Sequence, residues 1–378
     1  GEEPRPPRRP TLTTRTKLLL TVLLTAVVLL IPLSASGQEA GSDSDAQIND
    51  YCLSCHESGN IILSFPSGEL LPAALPRTVF EASIHGRAGL TCIACHTDIG
   101  QYPHDPMSAV TRRDLAIELY TSCFNCHESE YTDTLDNMHT DALAGGNRQA
   151  ALCTDCHGAH NVTHPSEDTT AIPRTCRSCH SEIYDLYASS VHGDALIEHD
   201  NGDVPTCTDC HGVHSVEGPS HSQFHLFSPT ICEDCHADEE LMGKYGISTE
   251  VFDTYVADFH GTTVMLFEEL APDQETNSPV CIDCHGVHNI RASDALDSTV
   301  YKENLLVTCQ RCHPDATANF PDSWMKHYQP TSDQAILVWL VNWFYRLVIP
   351  GVVGGMLIWV TIDGIRHLQH RRKAAESV

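Results

Sequence analysis

The chain has 378 residues, with 22 Lys and Arg, 50 Asp and Glu, 24 His and 18 Cys, and its formal net charge is −28. This charge argues against a nucleic-acid partner, because phosphate backbones are bound by basic patches and the sequence has none. The acidic residues lie mainly in the middle, since residues 37–334 hold 46 Asp and Glu but only 12 Lys and Arg. We therefore expect cationic or membrane partners.

The N-terminal segment 1–37 has the pattern of an export signal. An uncharged apolar run, residues 18–33, follows a cationic stretch and precedes the small residues SASG. The run is short for a membrane-spanning helix. Two interpretations stay open, a cleaved signal peptide and a retained N-terminal signal anchor.

All 18 cysteines lie in nine Cys-x-x-Cys-His motifs, which we number sites 1 to 9 in chain order. Cys-x-x-Cys-His is the attachment motif of c-type haem, whereas a zinc ribbon needs paired Cys-x-x-Cys units and gives no reason for a His after each one. The sites are Cys52/Cys55/His56, Cys92/Cys95/His96, Cys123/Cys126/His127, Cys153/Cys156/His157, Cys176/Cys179/His180, Cys207/Cys210/His211, Cys232/Cys235/His236, Cys281/Cys284/His285 and Cys309/Cys312/His313.

From Cys52 to His327 the sequence resembles the multihaem c-type cytochromes, and most closely their class III, doubled-CxxCH branch with a membrane anchor. The resemblance implies nine covalently bound haem c groups, each with the motif His as the proximal iron ligand. It also implies assembly outside the cytoplasmic membrane and electron transfer between closely packed haems.

Nine further histidines are candidate distal ligands, and they recur in two local contexts. In long units an aromatic residue precedes the His by five positions and Gly follows it, with two looser copies. In short units the His is the last residue of Cys-His-Gly-x-His, with one odd member. The long units carry His85, His139, His192, His260 and His327, and the short units carry His104, His160, His214 and His288.

Long and short units alternate strictly along the chain, beginning with His85 after site 1 and His104 after site 2. The sequence thus predicts nine low-spin, bis-histidine haems. His157 and His160 are three residues apart, so their Cα atoms are within roughly 10–11 Å. Two imidazoles on one iron need Cα atoms on the order of 12–13 Å apart, so His160 should ligate another haem. The same holds for His214 and His288.

The remaining six histidines lack the repeat context, and we expect them to lie in solvent or beside haem propionates. His221 and His225 could instead replace an assigned ligand. The six are His164, His199, His221, His225, His367 and His370.

A second apolar segment, residues 335–366, predicts an interfacial stretch followed by a transmembrane helix that spans at about 347–363. Its apolar run is broken only by Asn342, Arg346 and the turn-prone Pro350. The cationic tail 367–378 marks the cytoplasmic side. The nonahaem domain, 38–334, then lies on the periplasmic or extracytoplasmic side. Gly351 and Gly355 would let another membrane helix approach.

The predicted fold class is a multihaem cytochrome c with mainly short α-helices and loops, little regular secondary structure, a haem-stacked core and a transmembrane helix. Pro and Gly interrupt almost every segment between motifs, which favours short elements. Helices are expected around the distal-histidine stretches such as SEIYDLYASSVHG and VFDTYVADFHG.

The predicted function is electron transfer through nine bis-His haems, between an integral-membrane partner, quinol-linked or itself a cytochrome, and a redox protein outside the cytoplasm. The full ligand count favours a carrier, because a haem enzyme needs an iron with an open position. Two alternatives stay open. One is an oxidoreductase of the hydroxylamine, nitrite or tetrathionate type, with site 2 opened by loss of His104. The other is a subunit of a respiratory or photosynthetic complex or filament.

Overall fold

The computed structural model describes residues 43–164, 168–218, 222–274, 276–321, 327, 331–333 and 335–376. The predicted signal region therefore lies outside the described residues, as does His221. Within them the chain forms many short helices and one two-stranded antiparallel sheet, in which Leu63 pairs with Leu71. The expectation of short helices with little sheet is confirmed.

The strands are β1 (Ile62–Ser64) and β2 (Leu70–Pro72). The helices are α1 (Asp43–His56), α2 (Arg77–Ala82), α3 (Ile84–Arg87), α4 (Cys92–Cys95), α5 (Arg112–Leu119), α6 (Glu128–Asp133), α7 (Met138–Ala144), α8 (Cys153–His157), α9 (Ala171–Arg177), α10 (Ser181–Ala188), α11 (Val191–Ile197), α12 (Cys207–His211), α13 (Ser222–His236), α14 (Glu239–Gly243), α15 (Val251–Val256), α16 (Phe259–Leu270), α17 (Cys281–His285), α18 (Leu305–Gln310) and α19 (Ile336–Glu376), with 3₁₀ turns at Tyr120–Asn125 and Thr134–Asp136.

The chain divides into two compact lobes. Lobe 1 contains residues up to Ser122 together with Ala159–Thr163, and lobe 2 contains Cys123–Gly158 and the chain from His164 onward. Lobe 1 carries sites 1 and 2 and the small sheet. Lobe 2 carries sites 3 to 9 and α19.

A buried apolar cluster in lobe 2 is formed by Leu226, Val264 and Val280, with Phe267 and Ile282 packed against it. These residues come from α13, α16 and the start of α17, which are the segments that carry site 7, a distal histidine and site 8. The cluster therefore joins haem-motif segments to one another.

Helix α19 runs without interruption from Ile336 to Glu376, and Pro350 lies inside it. The helix accommodates Pro350 because a proline removes one backbone donor and can bend a helix without ending it. At 1.5 Å per residue the helix is about 60 Å long, roughly twice the thickness of a hydrocarbon core. Among the described residues, Ile336–Gln369 is apolar and long enough to cross a membrane, and its most apolar window is not buried.

Candidate haem-binding sites

The nine motifs adopt three local structures. At sites 2, 4, 6 and 8 the motif begins its own one-turn helix, α4, α8, α12 or α17. At sites 1, 5, 7 and 9 it lies at the end of a helix, α1, α9, α13 or α18, and at site 3 it lies in a 3₁₀ turn. This difference has the same period as the alternation of long and short units.

An aspartate inside the motif fixes the helix start at sites 4, 6 and 8. The carboxylate of Asp155 accepts a hydrogen bond from the Leu152 N–H at 2.8 Å. Asp209 and Asp283 accept equivalent bonds from the residues that precede their motifs, at 2.6 and 2.7 Å. Each carboxylate thus accepts a hydrogen bond from a backbone N–H at the helix start that has no partner within the helix. The sequence signal is the Asp of Cys-x-Asp-Cys-His.

Glycine follows the motif in the same three sites because the backbone turns there. Gly158, Gly212 and Gly286 have φ of 73°, 80° and 86° with ψ near 180°, a region that is essentially restricted to glycine. A Cβ at Gly212 would lie 2.9 Å from the Ser215 carbonyl oxygen, and one at Gly286 would lie 2.7 Å from Oδ1 of Asn289. The turn places the distal histidine of the short unit.

The distal histidines of four long units each lie one residue after the start of a short capped helix. The cap is two residues before the His. Ser83 Oγ and Ser190 Oγ accept from Gly86 and Gly193 N–H at 3.0 Å. In the other two units, Asn137 and Asp258 accept directly from the N–H of their histidines, both at 2.7 Å. The sequence analysis missed these caps, whose signal is a polar residue two positions before the His.

The glycine after the long-unit histidine is required by close packing. A Cβ at Gly193 would lie 2.0 Å from the carbonyl oxygen of Tyr187. A Cβ at Gly86 would lie 2.0 Å from the carbonyl oxygen of Phe80, and one at Gly261 would lie 2.1 Å from that of Tyr255. The Tyr187 hydroxyl donates to the Pro205 carbonyl at 2.7 Å, just before site 6. This packing accounts for the aromatic-x-x-x-x-His-Gly pattern.

The structure brings eight proximal histidines against eight distal ones, with ring centroids 5.9–6.3 Å apart. Two imidazoles on one iron, each with a metal–nitrogen distance of ~2 Å, have centroids about 6 Å apart. The residues present therefore fit bis-histidine haem. The pairs are His56–His104, His96–His160, His157–His214, His180–His139, His211–His288, His236–His192, His285–His327 and His313–His260.

The pairing follows a rule that the order of the sequence does not reveal. A short-unit histidine meets the proximal histidine two sites upstream, as His160, His214 and His288 do. Three long-unit histidines meet the one two sites downstream, at sites 5, 7 and 9, whereas His104 and His327 each meet the proximal histidine one site upstream. The placement of His160 agrees with the argument from chain length.

The sequence analysis associated His104 with site 2, and the structure corrects this assignment. His104 pairs with His56 of site 1, and site 2 receives His160 instead. The unit order could not reveal this, because distal ligands cross between units. The ninth predicted distal histidine, His85, lies in lobe 1. The ninth predicted proximal histidine, His127, lies in lobe 2.

Backbone bonds join long and short units beside their distal histidines. The N–H of Ile84, before His85, donates to the Val162 carbonyl at 2.9 Å. The same bond recurs from Met138 to Val216 at 3.1 Å and from Val191 to Ile290 at 2.9 Å. Each bond ends two residues after a short-unit histidine, so neighbouring distal ligands are fixed to each other through the backbone.

Hydrogen bonds and burial prepare several histidines as neutral ligands. Nδ1 lies 2.8 Å from the Ala73 carbonyl in His56 and 2.9 Å from the Glu217 carbonyl in His211. Such contacts leave Nε2 for a metal. Burial, with the nearby His236, lowers the pKa of His192 to about 4, which favours the uncharged imidazole.

Cysteines of consecutive sites are neighbours. The nearby Cys153 thiol, with burial, raises the pKa of Cys123. The first cysteines of sites 5 and 8, with burial, likewise raise the pKa values of the first cysteines of sites 6 and 7, respectively. Burial, with the first cysteine of site 1, raises the pKa of the first cysteine of site 2. Burial, with the thiols of the next motif, raises the pKa of the second cysteine at sites 4, 6 and 8. Within each lobe the sites therefore follow one another in chain order.

The two cysteines of a motif differ in exposure. The first cysteine is half-buried at every site, whereas the second is exposed at all sites except 7 and 8. The second cysteine is exposed in the one-turn helices of sites 2, 4 and 6, and also at sites 1, 3, 5 and 9, where it lies at or just beyond the end of its helical turn. The exposed thiols of these last four sites belong to Cys55, Cys126, Cys179 and Cys312.

The exposed cysteines stay predicted attachment residues. The Ser54 hydroxyl lies 3.9 Å from Sγ of Cys55, and Cys126 is held through its N–H, which donates to the Cys123 carbonyl at 3.2 Å. Cys179 and Cys312 take part in the electrostatic contacts with Cys156 and Cys284 of the preceding sites. We therefore expect the second thioether of these four sites to lie at the protein surface.

Two histidines outside the ligand sets have acidic neighbours. His225 Nε2 lies 2.9 Å from Oδ2 of Asp283, inside the motif of site 8. His199 Nε2 lies 3.6 Å from Asp194. Neither replaces a distal ligand in the eight pairs.

Comparison with known proteins identifies the class. Residues 78–158 match the family "Cytochrome c7 and related cytochrome c", and residues 146–237 match the family "Cytochrome c3". The chain is 27% identical over 199 residues to the multiheme cytochrome MtrA of Shewanella baltica (strain OS185), a match covering 50% of this chain and 53% of that protein. No solved structure matches. The chain is a multihaem c-type cytochrome, with a C-terminal apolar helix that fits a membrane anchor.

Proposed function

We propose that this protein is a membrane-anchored electron conduit with nine bis-histidine haems c. The eight proximal–distal histidine pairs carry the proposal, because each supplies both axial ligands from the protein. An iron with two protein ligands exchanges electrons but offers a substrate no open position. This favours a carrier over an oxidoreductase.

Haem c supplies one-electron redox chemistry, and the chain supplies the order of the sites. The contacts between cysteines of consecutive motifs support electron movement from each site to the next within a lobe. The caps and glycine turns hold the distal ligands, so little rearrangement accompanies oxidation or reduction.

The short stretch of chain between His327 and α19 limits how far site 8 can lie from the membrane helix. His327, proposed as the distal ligand of site 8, lies nine residues before Ile336, where α19 begins. Nine residues span at most about 32 Å. We infer that a quinol-linked or cytochrome membrane partner exchanges electrons near site 8, and that a redox protein outside the cytoplasm meets the other end.

The test is low-temperature EPR of the oxidised, detergent-extracted protein, with haem counted by the pyridine haemochrome assay on the same sample. We expect nine haems per chain and only low-spin ferric signals. A stoichiometric high-spin signal would mean that one iron is open and would favour the oxidoreductase. Co-purification of a second subunit in detergent would identify the protein as part of a larger complex.

A further inference from the structure

His104 is held differently from other distal histidines. It lies in the loop between α4 and α5, and every residue from 101 to 108 is exposed. Between Gly100 and Ala109 no backbone N–H or carbonyl makes a backbone–backbone hydrogen bond to another described residue. This is the odd short unit of the sequence, without the Cys-His-Gly-x-His turn.

The contacts of His104 are local and few. Its Nδ1 lies 2.9 Å from the carbonyl of Gln101, three residues earlier in the same loop. The loop reaches α1 through the Tyr102 N–H and the Tyr51 hydroxyl, at a long 3.4 Å. Its ring also lies edge-on to Tyr102, which is itself 77% exposed.

Seven other predicted distal histidines are fixed by their backbone. Ser83, Asn137, Ser190 and Asp258 cap the helices of four of them. The three Cys-His-Gly-x-His histidines lie three residues from a proximal histidine, and backbone bonds to a long unit follow two residues later. Moving any of these ligands breaks a cap or a backbone bond, and each such loss opposes release.

Release of His104 requires no such loss. A loop without backbone hydrogen bonds gains conformational freedom when its ligand detaches, and this gain offsets part of the lost iron–nitrogen bond. Compared with the sites that those seven histidines serve, site 1 is therefore where an external ligand competes best with the protein.

We propose that His104 is an exchangeable ligand, and that site 1 binds a small neutral π-acceptor ligand, of which carbon monoxide is the simplest, when its iron is ferrous. The iron–Nε2 bond breaks, an iron–carbon bond forms, and the neutral imidazole moves into water, with no change in electron count. The inference rests on the proposed bis-histidine ligation, and it adds a ligand-binding site at the end of the array remote in sequence from the membrane helix.

The experiment is a carbon monoxide titration of the dithionite-reduced, detergent-extracted holoprotein, followed by Soret difference spectra. Pyridine haemochrome fixes the total haem. We expect one haem in nine to bind carbon monoxide, at a rate that levels off at high ligand concentration because imidazole release becomes limiting. No binding would overturn the proposal, while an all-low-spin EPR spectrum of the oxidised protein would leave the conduit function standing.

Two variants assign the site. His104→Ala should still bind one carbon monoxide per chain, now at a rate that rises linearly with ligand concentration. The matched control His192→Ala, which removes a ligand from a capped helix, should bind two. Two equivalents in His104→Ala would place the exchangeable ligand at another site. Should His104→Ala lose haem during maturation, the stoichiometry and the levelling rate of the unaltered protein still decide whether any site exchanges.

Discussion

At the scale of single residues, the pairing of histidines decides which iron each side chain serves. His214 follows the motif of site 6 closely, yet its ring lies 6.1 Å from that of His157 in site 4. The proximal His211 is instead paired with His288. A substitution of His214 should therefore perturb the haem of site 4 and not that of site 6.

We expect the double variant His157→Ala/His214→Ala to perturb one haem, because both side chains are proposed ligands of the same iron. The matched pair His211→Ala/His214→Ala should perturb two. The measurement is the integrated intensity of low-spin ferric EPR signals per haem. Loss of two signals in the first variant and one in the second would contradict the pairing.

At the scale of elements, N-terminal caps stabilise the short helices that carry predicted distal histidines. Helix α11 has seven residues, too few for a helix that is stable by itself. Its cap Ser190 is 2% exposed and accepts a hydrogen bond from Gly193. The helix start is thus tied to the position of His192.

Ser190→Ala should lower the free energy of unfolding by about 0.5–2 kcal/mol, because it removes a helix cap. Ser189→Ala is the control, since the exposed Ser189 hydroxyl only bonds the Leu186 carbonyl in the preceding helix. Urea unfolding of the two holoproteins, followed by the Soret band, compares them. Equal midpoints would show that the cap contributes nothing.

Helix α19 is proposed to anchor the protein. A chain ended after residue 334 should leave the membrane fraction with an unchanged haem count, because all nine motifs precede the helix. Fractionation with haem staining is the measurement. Retention in the membrane would indicate that residues 18–33 remain as a second anchor.

At the scale of the whole molecule, charge dominates the surface. The full chain carries a formal net charge of −28, and its acidic residues lie mainly between residues 37 and 334. Such a charge raises the association rate with cationic partners over distances comparable to the Debye length. The few basic residues include Arg77, which lies 2.8 Å from Asp50 and near Glu57 and Glu81.

Electron transfer to a lysine-rich monohaem cytochrome should slow as ionic strength rises, because salt screens the attraction. Stopped-flow absorbance at increasing NaCl measures the second-order rate. An uncharged small-molecule oxidant is the control and should show little dependence. A rate independent of salt with the cationic cytochrome would refute steering by charge.

The sequence predicts which residues are candidates for haem binding better than it predicts which histidines pair with each other. Covalent attachment requires Cys-x-x-Cys-His within five residues, so all nine motifs are visible without a structure. Candidate distal histidines such as His214 were recognised by their repeated context, but the proximal histidines that they meet were not, because the two come from distant segments. The predicted span of about 347–363 lies within the longer helix Ile336–Glu376, whose ends the apolar pattern alone does not mark.

Under the proposed location of the haem domain outside the cytoplasm, the proposed pairing would set an order of events during export. A chain that crosses the membrane from its N-terminus presents His192 before Cys232, so site 7 finds its proposed distal ligand already outside. Site 6 must wait for His288, which emerges after two further motifs. Sites served from downstream would thus be open to other ligands, including misplaced histidines, for longer than sites served from upstream, and errors of maturation should concentrate at sites 1, 2, 4, 6 and 8.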